Sequence, residues 1–419
     1  MEVALRENKA IRSQTEQVRA ADARVGEAHG GRLPTLNYTE SFTRSDNPVF
    51  VFSSLLSQHQ FGEQNFAIGP LNRPDPLNNF QSQLALDQTV YDGGQNRSAE
   101  RAADLGRGIS EEESRRARME TIAAAARAYY DAILGGESLK TAEQAVRSAE
   151  ADLRRAEALR SVGMSTHADV LSIRVHLAAV DEHRIQQAAD LDVARATLND
   201  TLGLPLGTAH ELSTRLTMAP APELTIDELE RAAARERPET REARITTNLA
   251  QTHADRAHAA LLPQVSFHAA FEADRQYFVT RGGANWLAGV SLRWNIFNGL
   301  SDKSRIAEAS HGILQAEAEG ERTDSAVWLQ VRRAFAYLRA ASQRIEVAQA
   351  AVAEAEESLR ITQNRYEAGM SNVTDLLRNE TAVLESRTRY LAAVHDQRVA
   401  AVMLELAAGR LSVDSEVLQ

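Results

Sequence analysis

The chain has 419 residues, no cysteine and a formal net charge of −11. Without cysteine there is no disulfide framework, thiolate metal site or cysteine nucleophile, and an acidic balance with no basic block argues against nucleic acid as a partner. No apolar run reaches the roughly 18 to 20 residues of a membrane-spanning helix, but a membrane-spanning strand needs only about 10 alternating residues, which leaves a β-barrel open.

The N-terminus, Met1-Glu2-Val3-Ala4, lacks a basic and then apolar leader, so Met1 is read as the start of a processed chain. A helix is expected up to Leu33-Pro34. Strands follow over about 34–52 and 78–92, where Leu36, Tyr38 and Phe42, and then Phe80, Leu84, Leu86 and Val90, alternate with polar neighbours. Pro48-Val49-Phe50-Val51-Phe52 either extends the first strand or folds over the end of the sheet.

A helical hairpin is expected over 95–203. The chain carries no proline between Pro76 and Pro205, as long helices require. Leu139, Val146 and Leu153 recur every seven residues, with Ala142, Ala149 and Ala156 at the alternate positions of a coiled-coil-like stripe. Gly135-Gly136 predicts a bend or local loosening, each glycine costing about 1 kcal/mol relative to alanine. The reversal falls at Gly163-Met164-Ser165. Residues 205–237 read as a linker of short helical pieces. A helix then leads to Leu262-Pro263 and strands over about 263–279 and 284–298. In the first Val265, Phe267 and Phe271 share a face; in the second Trp286, Ala288, Val290, Leu292, Trp294 and Ile296 do, with a tryptophan near either end. A second hairpin over 300–409 and a tail over 410–419 complete the chain.

The second half repeats the first. Gly163-Met164-Ser165 returns as Gly369-Met370-Ser371, an offset of 206, and Asp169-Val170-Leu171 returns as Asp375-Leu376-Leu377. The same offset carries Asp92-Gly93 onto Asn298-Gly299 and Leu202-Gly203 onto Ala408-Gly409, while Leu33-Pro34 matches Leu262-Pro263 at an offset of 229. The difference of 23 places an insertion within Arg44 to Asn79 of the first half. Such a long period means a duplicated half-molecule, not a solenoid. The fold class is therefore a membrane α+β protein of duplicated halves, each with two transmembrane strands and a long antiparallel helical hairpin. Four strands cannot close a barrel, since the smallest have about eight, so chains must associate.

Two repeats of helix, Leu-Pro, two strands, Asp/Asn-Gly, long helix, Gly-Met-Ser turn and shorter helix resemble the TolC family of outer-membrane channel proteins. The most specific motifs are Arg365-Tyr366-Glu367-Ala368-Gly369 with Thr374-Asp375-Leu376-Leu377, and Arg237-Pro238-Glu239 leading to Leu262-Pro263. The resemblance implies a homotrimer in the bacterial outer membrane, one 12-stranded barrel continued by a periplasmic α-helical tunnel, with 205–237 as an equatorial band and the insertion outside the cell. It implies a periplasmic adaptor docking at the tip turns, Gly163, Met164, Ser165, Gly369 and Met370, and an inner-membrane transporter supplying energy. Asp169 and Tyr366 match positions that tie neighbouring helices shut, and Asp375 matches an acidic ring at the aperture. Ser371 stands where a basic partner of Asp169 is expected and Arg378 where a second acidic ring is expected, which argues against a salt bridge at this tip. Asp169 and Asp375 could equally be helix caps. Tyr38, Phe267, Phe271, Trp286 and Trp294 are expected to face lipid.

No catalytic, metal or cofactor constellation stands out. Gly106-Arg107-Gly108 lacks a strand-turn-helix setting, and His253 and His258 do not share a helical face. The expected function is a passive exit duct for small molecules or proteins, of a tripartite efflux pump or a type I secretion system, and no enzyme. The alternative is a periplasmic coiled-coil adaptor or scaffold.

Overall fold

The computed structural model describes residues 1–220, 224–280 and 282–418. They form two compact units, one of 19–108 and 245–317, the other of 1–18, 109–244 and 318–419. In chain order the elements are α1 (Glu2–Glu7), α2 (Lys9–Gly30), β1 (Thr35–Ser45), α3 (Pro48–Ser57), α4 (Ile68–Asn72), β2 (Leu77–Tyr91), α5 (Gln95–Ser161), α6 (His167–Leu202), α7 (Ile226–Glu236), α8 (Pro238–Ala259), β3 (Gln264–Arg275), β4 (Gly283–Arg293), α9 (Ser301–Glu367) and α10 (Val373–Ala407).

The first unit holds one antiparallel sheet in the order β1-β2-β3-β4. Each Leu-Pro stands directly before a strand, where a missing N–H costs no ladder bond. Directly paired residues share a face, so Tyr38, Leu84, Phe271 and Trp286 form one apolar row across all four strands. The opposite face is polar: Gln83 donates to Glu272 at 2.7 Å and His268 meets Asp87 at 2.7 Å. The apolar face carries charge toward one end, where Arg275 reaches Glu40 at 3.0 Å and Ser82 at 2.7 Å beside the tilted Phe42–Phe80 pair. Strands β1 and β4 are edges without a partner among the described residues.

Three expectations are corrected in this unit. Strand β1 stops at Ser45, and the apolar segment from Pro48 is the helix α3. Asn47 decides this, its side-chain oxygen capping the N–H groups of Val49 and Phe50, with Pro48 at the first helical position, where its ring fits. Strands β3 and β4 are shorter than 263–279 and 284–298, ending at Arg275 and Arg293. Trp294 therefore lies just past β4, its indole N–H donating to the Leu261 carbonyl at 3.1 Å.

In the second unit Gly135-Gly136 does not interrupt α5. A side chain at Gly135 would come within 3.3 Å of the Leu191 backbone, so glycine serves close helix approach there. Ala142, Ala149 and Ala156 are all 0% exposed, so the seam is the buried stripe expected. Among the described residues the linker is helical only in α7. Residues 208–220 carry no regular element, and α10 satisfies part of their backbone: Gln397 bonds both polar groups of Ala219 at 2.8 and 3.1 Å, and Arg398 donates to the Thr217 carbonyl at 2.6 Å. Residues 221–223 of that linker lie outside the described residues. The duplicated Gly203 and Gly409 have φ of 76° and 75°. An added Cβ would stand 2.4 Å from the Glu7 carbonyl oxygen in one case and 2.9 Å from Arg237 N in the other, so only glycine fits either crossing.

Candidate functional site: the paired helical tip

The two Gly-Met-Ser turns are built alike. Gly163 and Gly369 take φ of 80° and 72°. In each copy the glycine N–H bonds back into the last helical turn, Gly163 to Arg160 and Gly369 to Tyr366, both at 3.0 Å. The following methionine N–H reaches Leu159 at 2.9 Å or Arg365 at 2.8 Å, completing a Schellman stop. Met164 and Met370 are exposed.

The returning helices start on caps. Thr166 and Asp169 form a capping box; the Asp169 carboxylate accepts from Thr166 N and Oγ1 at 2.8 Å each and from Ser165 Oγ at 3.2 Å. Those bonds, the backbone N–H of Thr166 first, hold its carboxyl below the usual range. In the second copy Asn372 accepts from the Asp375 N–H at 2.8 Å, and Ser371 donates to Asp375 at 3.3 Å. Within one chain, then, each aspartate is engaged by its own turn serine, and Ser371 serves Asp375. Arg378 is exposed and borders an open cleft with Arg365, Ser371 and Asp375.

Beneath the turns, Ala156, Val170, Ile173, Tyr366, Val373 and Leu376 pack into one cluster drawn from α5, α6, α9 and α10. Burying one such leucine or isoleucine stabilises by about 1.5–3 kcal/mol. Tyr366 is buried with its hydroxyl lacking an aligned hydrogen-bond partner, and burial raises its pKa. It does not bond Asp169 within the chain.

The most unusual chemistry here was not anticipated from sequence. Asp152 of α5 is 1% exposed and Glu380 of α10 is 8% exposed. Asp152 accepts from Arg155 at 2.7 Å, and Arg155 also pairs with Glu367 of α9 at 3.1 Å. Glu380 accepts from Ser148 of α5 at 3.1 Å and lies 3.1 Å from His176 of α6. Ser148, His176 and Glu380 also line a cavity of about 350 Å³. The available signal was the duplication itself: at an offset of 206, Asp152, His176 and Glu380 match Ser358, Ala382 and Arg174, a clear chemical mismatch between copies.

On the sheet, Tyr38, Phe271 and Trp286 share the exposed apolar row, and Phe267, four residues before Phe271, lies on the same face. Among the described residues no group of His, Asp and Glu is placed to hold a metal ion, and no helix is long and apolar enough to cross a membrane.

Comparison with known proteins agrees with this architecture. The chain is 28% identical over 351 residues to Protein CyaE of Bordetella pertussis, covering 80% of this chain and 72% of that protein. It is 23% identical to the outer membrane efflux protein BepC of Brucella suis, covering 89% and 82%. Among solved structures, CusC, whose crystal structures concern folding and transmembrane channel formation, superposes with a TM-score of 0.80 at 19% identity, covering 97% of this chain and 90% of that one. The sequence pattern of outer membrane efflux proteins matches residues 1–204 and 229–410, nearly the whole chain, which therefore belongs to the outer membrane efflux protein family.

Proposed function

We propose that three copies of this chain close their sheets into one 12-stranded barrel in the bacterial outer membrane, with their helical hairpins lining a periplasmic tunnel that acts as a passive exit duct. The carrying observation is the open four-stranded sheet, with two unpaired edges, an apolar face bearing Tyr38, Phe271 and Trp286, and a polar face. Four strands cannot close by themselves, and an open edge is not tolerated in hydrocarbon, so β1 of one copy pairs with β4 of the next. The helices support the same assembly. Val175 and Ile185 on α6 and Val347 and Ile361 on α9 are exposed in the single chain and are covered by neighbouring copies.

The tip turns dock a periplasmic adaptor, and an inner-membrane transporter supplies energy. Asp375 and Arg378 ring the aperture, and Asp169 and Tyr366 hold neighbouring helices until the tip opens. BepC carries efflux in its name, and the cargo here is a small molecule or a secreted protein.

The test is the purified protein in detergent and planar bilayers. A trimer with discrete conductance steps is expected. A monodisperse monomer without conductance overturns the duct and favours a periplasmic scaffold.

A further inference from the structure

We infer that Asp152 and Glu380 hold one proton between them, and that this shared proton clamps the first helical hairpin to the second just behind the tip.

The arrangement of donors argues for it. Each carboxylate has one oxygen served, Asp152 Oδ1 by Arg155 and Glu380 Oε1 by Ser148. Of their other oxygens, Asp152 Oδ2 is buried without a hydrogen-bond partner, and Glu380 Oε2, equally buried, has His176 Nε2 3.1 Å away but out of line. Asp152 and Glu380 meet as acceptor against acceptor, one hydrogen short, and a buried acceptor without a donor is costly to leave unsatisfied. A proton between them satisfies both and removes a like-charge contact. The copies point the same way: Ser358 and Arg174, at the corresponding positions, are exposed. Only one of the two pseudo-equivalent places is built as a buried acid pair.

The groups facing the pair come from all four helices: Ser148 and Arg155 on α5, His176 on α6, Tyr366 and Glu367 on α9, and Glu380 itself on α10. Burial first, then the hydrogen bond and charge of Glu380, push the Asp152 carboxyl up to about 8, against the pull of Arg155. Burial alone would raise Glu380, but His176 and Asp152 outweigh it and keep its carboxyl below the usual range. The pair as a unit therefore holds one proton that two separate carboxyls would release.

The packed state binds this proton more tightly than a state with separated, solvated hairpins, where Asp152 returns toward its ordinary 3.8. The Asp152 contribution is thus present in full below about pH 4 and is lost as pH rises toward about 8, while that of Glu380, whose carboxyl is lowered, is lost only as pH falls below its ordinary 4.5. In that window the ratio of separated to packed tips rises by at most about tenfold per pH unit.

The chain has no cysteine, so cysteines placed at the exposed Met164 and Met370 carry unique spin labels that report hairpin separation. Labelled chains are diluted with unlabelled ones in detergent and their distances compared between pH 5.5 and pH 8. The separated population is expected to grow at least tenfold in the otherwise wild-type chain. D152N, a permanent neutral donor, is expected to lose the greater part of that growth. E380Q removes the like charge and is expected to reach its plateau at lower pH. Unchanged wild-type distances, or a D152N profile that follows wild type, overturn the clamp. The distance readout lies within one chain, so a failure of the trimer or conductance test leaves it interpretable; the further expectation that conductance follows the same pH profile rests on the duct reading.

Discussion

Helices α5 and α9 occupy corresponding places in the two halves and carry the same heptad stripe, but they are buried differently. In α5 the seam alanines Ala142, Ala149 and Ala156 are sealed off, along with Asp152. In α9 no residue between Ile345 and Tyr366 is buried, and Ala348, Ala355 and Thr362, at the matching positions, are only half-covered. Duplication thus supplied two equivalent hairpins, and packing within one chain made the stripe of one helix interior and left the matching stripe of the other at the surface. Polar groups followed: Asp131 of α5 receives His395 of α10 at 2.7 Å, whereas the matching pair is Tyr337 and Ala189. An interior helix can enforce specific buried partners, because an unpaired polar group there is costly. A surface helix cannot.

The comparison can be broken or sharpened by substitution. The largest effect is expected where the halves still agree. Gly203→Ala combines a strained backbone with a collision and should cost about 3 kcal/mol or more. Gly409→Ala should follow with a somewhat smaller loss, both measured by thermal unfolding in detergent. Next come the seams. Ala149→Leu should cost about 1–3 kcal/mol by overpacking, and Ala355→Leu nearly nothing in the unassembled chain; equal losses would erase the distinction. At the caps, Asp169→Ala should cost about 1 kcal/mol and Asp375→Ala less, because the first carboxylate accepts three hydrogen bonds and the second one. His395 gives a difference in pH response. Burial lowers its pKa, but Asp131 and Asp396 outweigh that and raise it above the ordinary 6.5. Its contribution is complete below pH 6.5 and is lost as pH rises through the raised value. His395→Gln should therefore flatten part of the stability profile in neutral to mildly alkaline solution. Smallest, Gly136→Ala, whose added Cβ meets nothing within 4 Å, should stabilise by up to about 1 kcal/mol.

Much of this was legible in the sequence because long-period repetition and simple periodicity carry it. The proline-free tracts are α5, α6, α9 and α10, the Leu-Pro pairs open strands, and the tip glycines adopt the left-handed turn their spacing implied. What was missed depended on competition between local rules. Pro48 to Phe52 has strand-forming residues, and Asn47 turned them into a helix. Gly135-Gly136 looked like a weakness in isolation; only the position of Leu191 shows it as a close contact. Asp152 and Glu380 resemble the many surface acids around them, and nothing in the local composition separates them until the helices are packed.

The open sheet has a consequence for how the protein reaches its destination. Its two edge strands carry rows of backbone donors and acceptors, and hydrocarbon charges several kcal/mol for each one left unmatched. A lone copy therefore has no stable residence in a bilayer, however apolar its outward face. In the proposed assembly, insertion and edge closure are a single event, whose rate depends on the encounter of copies and not on the folding of any one. Until that event the edges are open templates for wrong pairing, so quality control of this protein is a matter of timing: what must be prevented is a sheet that waits.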